Sequence, residues 1–531
     1  MKKTLFTVLG SLGGFSLITP LLALNYSVGE AGINARRLHE APYNLLGRKI
    51  AIGQVEIGRP GKFAWDKAVK EDYPIEVAEI FYRDRLANPD QHLDAHAVMV
   101  ATVMVSQRKG FMGVAPEANL YSSAVGSLRQ AGQPEECLTS QYTAQQNGGD
   151  VRAINFSFGD SLDRDPREKA VLDGDALLTR CIDWSSRVHN VLYVIAGNQG
   201  KGGIPIPTDH YNGITVAYST RREGQYTKVD FPNLSGEPQG IGRRLVEKEI
   251  NTEGRTGVSL VAPGHKVSVY HPREDIVQAS GSSFAAPHVT GTVALLQEYS
   301  DRALKRLSNL EPSPFSPRWS LDARRHEVMK AVLLNGADKI ESESLQMSRT
   351  LYSKQNQTWL ESNAYSDPDL PLDLEMGAGH LNAFRAYQQF SAGQWSPESS
   401  VPNIGWDYNQ VKVNSNRDYT IARPLQAGSY ASITLTWDRL VELNDENNNN
   451  QFDLGENFSD RGLNNLNVFL IPVGNNASAK SACASVSEVD SVEHIFCKIP
   501  ETGRYKIRVQ FAQKHNNPVQ SYGLAWWTIS D

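Results

Sequence analysis

The sequence has no block of lysine and arginine able to grip a run of phosphates, and its formal net charge is −6. Nucleic acid is thereby excluded as a partner. Beyond the first two dozen residues no apolar run is long enough to cross a bilayer, which excludes a multi-span membrane protein. Internal repeats are absent. Cysteine is scarce, with only Cys137, Cys181, Cys483 and Cys497. Four cysteines allow three pairings, and sequence does not choose among them. Cys483 with Cys497 is the economical pair, because closing a loop of about 15 residues contributes on the order of 3 kcal/mol. What is present is an ordinary soluble balance, 40 % apolar and 21 % charged. At 531 residues the chain is too long for one core, so two or three domains are expected.

Met1, Lys2 and Lys3 give a positive start, and Leu5 to Leu24 is mostly apolar, broken by glycines and Pro20. Ala23 is a small residue before the polar stretch that begins at Asn25. That order is an export signal over residues 1–23 rather than a retained anchor. The expected location is therefore outside the cytoplasm, periplasmic or extracellular, with no membrane attachment once the signal is removed. Export also favours disulfides over free thiols. Residues 24–46 read as a short polar lead.

From residue 47 to residue 395, β-rich runs alternate with helical ones. Strands are predicted at Lys49 to Val55, Asn119 to Ala124, Ala153 to Phe158, Val191 to Ala196, Ile214 to Tyr218 and Gly257 to Ala262. Helices are predicted at His96 to Ser106, Asp175 to Val188, Phe284 to Tyr299 and His326 to Leu334. This alternation is that of an α/β fold, a parallel sheet flanked by helices. Two polar insertions, Asp301 to Arg325 and Glu341 to Leu370, read as surface excursions. A Pro/Ser-rich linker at 396–402 leads to residues 403–531, where alternating β-rich runs without helix predict an all-β sandwich.

Chemistry concentrates at Gly281-Ser282-Ser283-Phe284-Ala285-Ala286-Pro287-His288. Small residues precede Ser283 and an apolar helix follows, which places its hydroxyl where a helix N-terminus favours developing negative charge. A serine needs a base to become a nucleophile; alone, it is an ordinary helix cap. His96 opens an otherwise apolar helical run, where a lone histidine is usually a core residue. Glu56 ends an apolar strand, at the edge where α/β sheets place their sites. Asn198, after Val194 to Gly197, follows another strand and taken alone marks a turn.

Together these residues resemble the subtilisin family, with its chain order of acid, base, serine. The resemblance covers roughly residues 45 to 385. Gly281 to His288 is similar to the family's serine motif, with Ser282 where Thr is usual and Phe284 where Met is usual. Gly113-Val114-Ala115-Pro116, Ile154 to Gly159, Ala196-Gly197-Asn198, Leu260 to Gly264 and Gly377 to Ala383 fall in family-like places. The resemblance implies a serine endopeptidase acting on proteins or peptides, with Ser283 as nucleophile, His96 as base and Glu56 as the acid that orients it. It implies Asn198 as an oxyanion donor. Ser157, Phe158, Gly159 and Gly197 would bind substrate as an added strand. No cofactor is implied for catalysis.

Three departures stand out. Glu56 occupies a position where the family usually has Asp; Asp66 and Asp94 are the fallback acids. Ala97-Val98-Met99 follows His96 where the family shows Gly, Thr and a second His. The lead is too short for the usual folding pro-domain, so activation is expected to differ.

Asp445 to Glu456 fits a twelve-residue calcium loop. Asp445, Asn447, Asn449, Asp453 and Glu456 fall at donor positions, Gln451 offers its carbonyl, and Asn450 stands where Gly is usual. A structural Ca2+ in the C-terminal region is expected there; the alternative is an Asn-rich hairpin tip. Two other functions compete with the peptidase. One is a catalytically silent subtilisin-like protein that binds peptide. The other is a lipase or esterase, which the order Ser–acid–His of α/β-hydrolases argues against.

Overall fold

The computed structural model describes residues 23–126, 132–160, 162–197, 206–229, 251, 254–307, 316–397, 400–474 and 481–530. The export signal up to residue 22 and Asn198 lie outside the described residues.

The first part of the chain supplies strands β1 (Ala51–Glu56), β2 (Glu79–Tyr82), β3 (Arg85–Leu86), β4 (Asn119–Ala124), β5 (Val151–Phe156), β6 (Leu192–Ala196), β7 (Ile214–Arg222), β8 (Gln225–Val229) and β9 (Leu260–Pro263). A separate hairpin, β10 (Val267–His271) with β11 (Asp275–Ala279), and a short strand β12 (Leu351–Tyr352) follow. The main sheet runs β12-β8-β7-β6-β5-β1-β4-β2-β3, with β9 beside β7. Its centre, β2 through β7, is parallel. β1 and β5 are buried along their whole length, which is why they read as near-continuous apolar runs. Register aligns their ends: Val55 pairs with Phe156, and Phe156 with Ile195. Glu56, Ser157 and Gly197 therefore leave the sheet at one edge, the carboxyl edge where such folds place their sites.

Helices cover both faces. The histidine helix (Ala95–Val105) and the serine helix (Ser282–Leu307) share one core, with Val98, Val100 and Ala101 beside Val289 and Val293. On the other face, helices Gln133–Ala144 and Leu177–His189 are joined by a Cys137–Cys181 disulfide.

The lead is not a polar excursion. Leu24, Val28, Ile33, Leu38 and Leu45 are buried in the first core, and the Ser27 hydroxyl lies 2.9 Å from His288 Nε2. The second insertion likewise departs from expectation: Leu345, Leu351 and Trp359 are fully buried, packed with Phe496 and Trp527 from the C-terminal part.

That part forms two antiparallel sheets. One holds β13 (Ile404–Lys412), β15 (Tyr430–Thr436), β20 (Val492–Lys498) and β22 (Val519–Trp527). The other holds β14 (Asn416–Thr420), β18 (Asn465–Pro472), β19 (Cys483–Ser485) and β21 (Tyr505–Gln513). Ile433, Leu435 and Leu524 from the first meet Val468, Ile507 and Val509 from the second in one core. The Cys483–Cys497 disulfide ties β19 to β20, and so one sheet to the other. A hairpin of β16 (Val441–Asn444) and β17 (Asn457–Asp460) leans back onto the first part, where Gln141 clamps the Phe452 backbone with bonds of 2.8 and 2.6 Å. The first sheet docks on helix His326–Asn335, whose Asn335 Oδ1 accepts from Ser432 and Thr434.

Candidate active site

The sheet edge delivers Glu56 and the helix start delivers His96. Glu56 is 1 % exposed, and its Oε2 lies 3.2 Å from His96 Nδ1. Its Oε1 has no partner among the described residues. Burial pushes the Glu56 carboxyl above its ordinary value, opposed by the charge and hydrogen bond of His96. Burial works against the His96 imidazolium, but the Glu56 carboxylate and its hydrogen bond outweigh it and raise that group above its ordinary value. With Nδ1 held by Glu56, the other ring nitrogen is left for chemistry.

Asp94, one of the two fallback acids, is engaged elsewhere. Its carboxylate caps the histidine helix by accepting from Ala97 N at 2.9 Å. Asp66 is equally committed, gripped by both Arg59 terminal nitrogens at 2.8 Å in a fully buried pair. Ala97 is fully buried, and its carbonyl accepts from Gln54 Nε2 at 2.9 Å.

Ser283 stands half-buried in the first turn of a 26-residue helix. The turn before it needs Gly281, whose φ of +148° is closed to most side chains. Ser282 Oγ donates to Gly197 O at 3.0 Å, tying the serine motif to the end of β6. Gly197 is itself pressed on the sheet, since a Cβ there would lie 2.7 Å from Val216 O. His96 reaches the same place: its ring centroid is 5.7 Å from that of Phe284. Ser157 Oγ donates to Ser283 O at 3.1 Å, and Ser283 Oγ to Ser157 O at 3.2 Å.

The structure thus gathers Glu56, His96, Ser157, Gly197 and Ser283 at one edge. Gly159 is buried beyond Ser157, and Phe158 has its ring stacked on Phe156 with centroids 4.2 Å apart. Two residues were missed in the sequence. Gln54 supports the backbone beside His96, and Asn155 Nδ2 donates to Ser157 Oγ at 2.8 Å. Each is a polar residue inside an apolar strand, the one signal that marks them.

At the edge of a parallel sheet the structure thus holds a histidine against a buried carboxylate, with a serine at a helix start beside the next strand. The sequence pattern of the subtilase family matches residues 42–364, and the chain belongs to that family. It is 26 % identical over 203 residues to the major intracellular serine protease of Bacillus subtilis (strain 168), covering 37 % of this chain and 52 % of that one. It is 26 % identical over 190 residues to subtilisin Savinase of Lederbergia lenta, covering 36 % and 57 %. With the intracellular serine protease of Paenibacillus polymyxa the identity is 23 % over 300 residues, covering 51 % and 81 %. The chain spans about half the length of the first of these relatives. Among solved structures, the prenylagaramide maturation protease PagA matches 64 % of this chain and 93 % of its own, at 19 % identity and a TM-score of 0.39.

Proposed function

We propose that this chain is a secreted serine endopeptidase that cleaves through a Glu56–His96–Ser283 triad and an acyl-enzyme. The observation that carries the reading is the 3.2 Å contact of His96 Nδ1 with buried Glu56, beside a serine at a helix start. Ser283 Oγ attacks the peptide carbonyl while His96 takes its proton. His96 then returns that proton to the leaving amine. Glu56 keeps the imidazole in one tautomer and stabilises its charge. The Ser283 N–H, at the positive end of a long helix, and the Asn198 amide stabilise the oxyanion. Substrate pairs with the backbone of Ser157 to Gly159 as an added strand, a mode that reads chain rather than chain end. Export is supported by the signal-like start and by two disulfides.

The same reading includes one structural calcium ion in the loop between β16 and β17. The donor set is all oxygen, as a hard cation requires. Asn447 and Asn449 both turn their amides to Asp453 Oδ2 at 2.7 Å, and Glu456 folds back on Glu446 N and Asp453 N. Asn450 has φ +60°, so the left-handed turn usually given to Gly is present. Asp445, Asn447, Asn449, Asp453 and Glu456 would hold the ion through side chains, and Gln451 through its carbonyl.

The test is digestion of unfolded protein substrates, with cut sites mapped by mass spectrometry, for wild type and Ser283→Ala. Internal cuts by wild type alone are expected. Equal behaviour of the two proteins would replace this reading with the silent peptide binder.

A further inference from the structure

The serine helix carries a proline in its second turn, Pro287. Proline has no N–H, so the helix ladder supplies no donor to the carbonyl four residues earlier, that of Ser283. The Ser157 hydroxyl takes this place at 3.1 Å. The next carbonyl, Phe284 O, is gripped by a side chain of the same helix, His288 Nδ1, at 2.7 Å. The backbone that follows Ser283 thus depends on side chains for part of what a regular helix supplies itself. Phe284 also links two site residues. It is joined to Ser283, and its ring centroid lies 5.7 Å from that of His96. Whatever fixes Phe284 O therefore fixes the peptide next to Ser283 and the ring beside His96.

His288 is fully buried, and its other nitrogen, Nε2, lies 2.9 Å from the Ser27 hydroxyl. A carbonyl oxygen only accepts, so Nδ1 carries the hydrogen that points at Phe284 O. Burial pushes the imidazolium down to about 4, which leaves the ring neutral at ordinary pH and makes Nε2 an acceptor. Ser27 then gives its one hydrogen to Nε2, ahead of the Leu24 carbonyl, which is farther away at 3.2 Å. Ser27 is itself pinned. Its carbonyl accepts from Ile33 N at 2.9 Å, and a Cβ at Gly32 would overlap that carbonyl oxygen, so glycine is needed to close the turn. Two residues before Ser27, Asn25 Nδ2 donates to Gly110 O at 2.6 Å, on the loop after the histidine helix.

We propose that Ser27, acting through His288, is a positioning residue for Ser283 and, by way of Phe284, for His96. The inference rests on the reading of Ser283 as the nucleophile. Two contacts carry it, Ser27 Oγ to His288 Nε2 and His288 Nδ1 to Phe284 O, and the first spans 261 positions of sequence. With Ser27 3 % and His288 0 % exposed, bulk water does not stand in for the hydroxyl when it is removed. The ring then holds a buried acceptor without a donor, and its turn toward another partner releases Phe284 O.

Kinetics on full-length Ser27→Ala test this, at a temperature well below its Tm. The expected result is kcat and the rate of fluorophosphonate labelling lowered about 10- to 100-fold, with KM unchanged, the scale of a small misplacement at the reacting atoms. Ser27→Thr keeps the hydroxyl and should recover most of that loss. A residue that only held the fold together would lower Tm and leave the kcat of folded protein alone. Ser27→Ala with wild-type kcat and labelling rate would overturn the inference, and so would a loss confined to KM. A wild type that neither labels nor cleaves would instead fail the nucleophile reading itself, and this inference with it.

Discussion

Ser157 and Ser283 hold each other reciprocally: each hydroxyl donates to the other's carbonyl, at 3.1 and 3.2 Å. Ser283 thus rests against the end of β5, and the proposed mechanism requires its hydroxyl to turn toward His96 when substrate binds. Loosened contacts of this kind are common before the reactive complex forms. Ser157→Ala removes one arm and leaves the Asn155 amide without its 2.8 Å partner. The expected cost is about 1–3 kcal/mol of stability. Thermal melts of the variant should show a lowered Tm, with peptidase activity reduced but present.

Glu56 tests the acid assignment. Glu56→Gln should lower kcat by about 10,000-fold, the size expected when a triad loses its acid. Glu56→Asp keeps the charge and should retain far more activity. The pH profile carries a sharper signature. The base works neutral, so kcat/KM falls as pH drops through the His96 value, which Glu56 raises. In Glu56→Gln the residual activity should persist to lower pH than in wild type. An unshifted acidic limb would contradict the assignment.

His326 ties the two parts of the molecule. It is buried, with Nε2 3.0 Å from both Asp438 oxygens and Nδ1 3.3 Å from Glu327. Burial opposes its charge, but Asp438 and then Glu327 raise it above its ordinary value. Such a group contributes stability in full below the unfolded value of about 6.5, and loses it as pH rises through the folded value. Relative to His326→Gln, wild-type Tm should decline from neutral pH upward. Parallel curves for the two proteins would show that the charge is not used.

The loop at 445–456 predicts a response to chelation. EDTA should lower Tm, calcium should restore it, and Asp445→Asn with Glu456→Gln should remove the response. Thermal melts with and without calcium read this out.

Much of the fold was legible because β1 and β5 are buried throughout and therefore read as mostly apolar runs, such as Ile50 to Val55. Glu56, His96 and Ser283 were legible because each sits where a strand ends or a helix starts. Burial of the lead and of the second insertion was not. Trp359 is covered by Phe496 and Trp527, residues more than a hundred positions later, so no local pattern marks it. Leu24 and Val28 sit on a helix of only six residues, Ala23–Val28, and Ile33 on the turn after it, too short a stretch to show a period. Gln54 and Asn155 look like flaws in their strands until the helix carbonyl and the Ser157 hydroxyl they serve are in place.

Activation of Ser283 by His96 and Glu56 is read out by covalent labelling of the purified protein with a fluorophosphonate, beside Ser283→Ala. One equivalent of label on Ser283 is expected in wild type and none in the variant. A folded wild-type protein that takes up no label, or a variant that labels equally well, would contradict it.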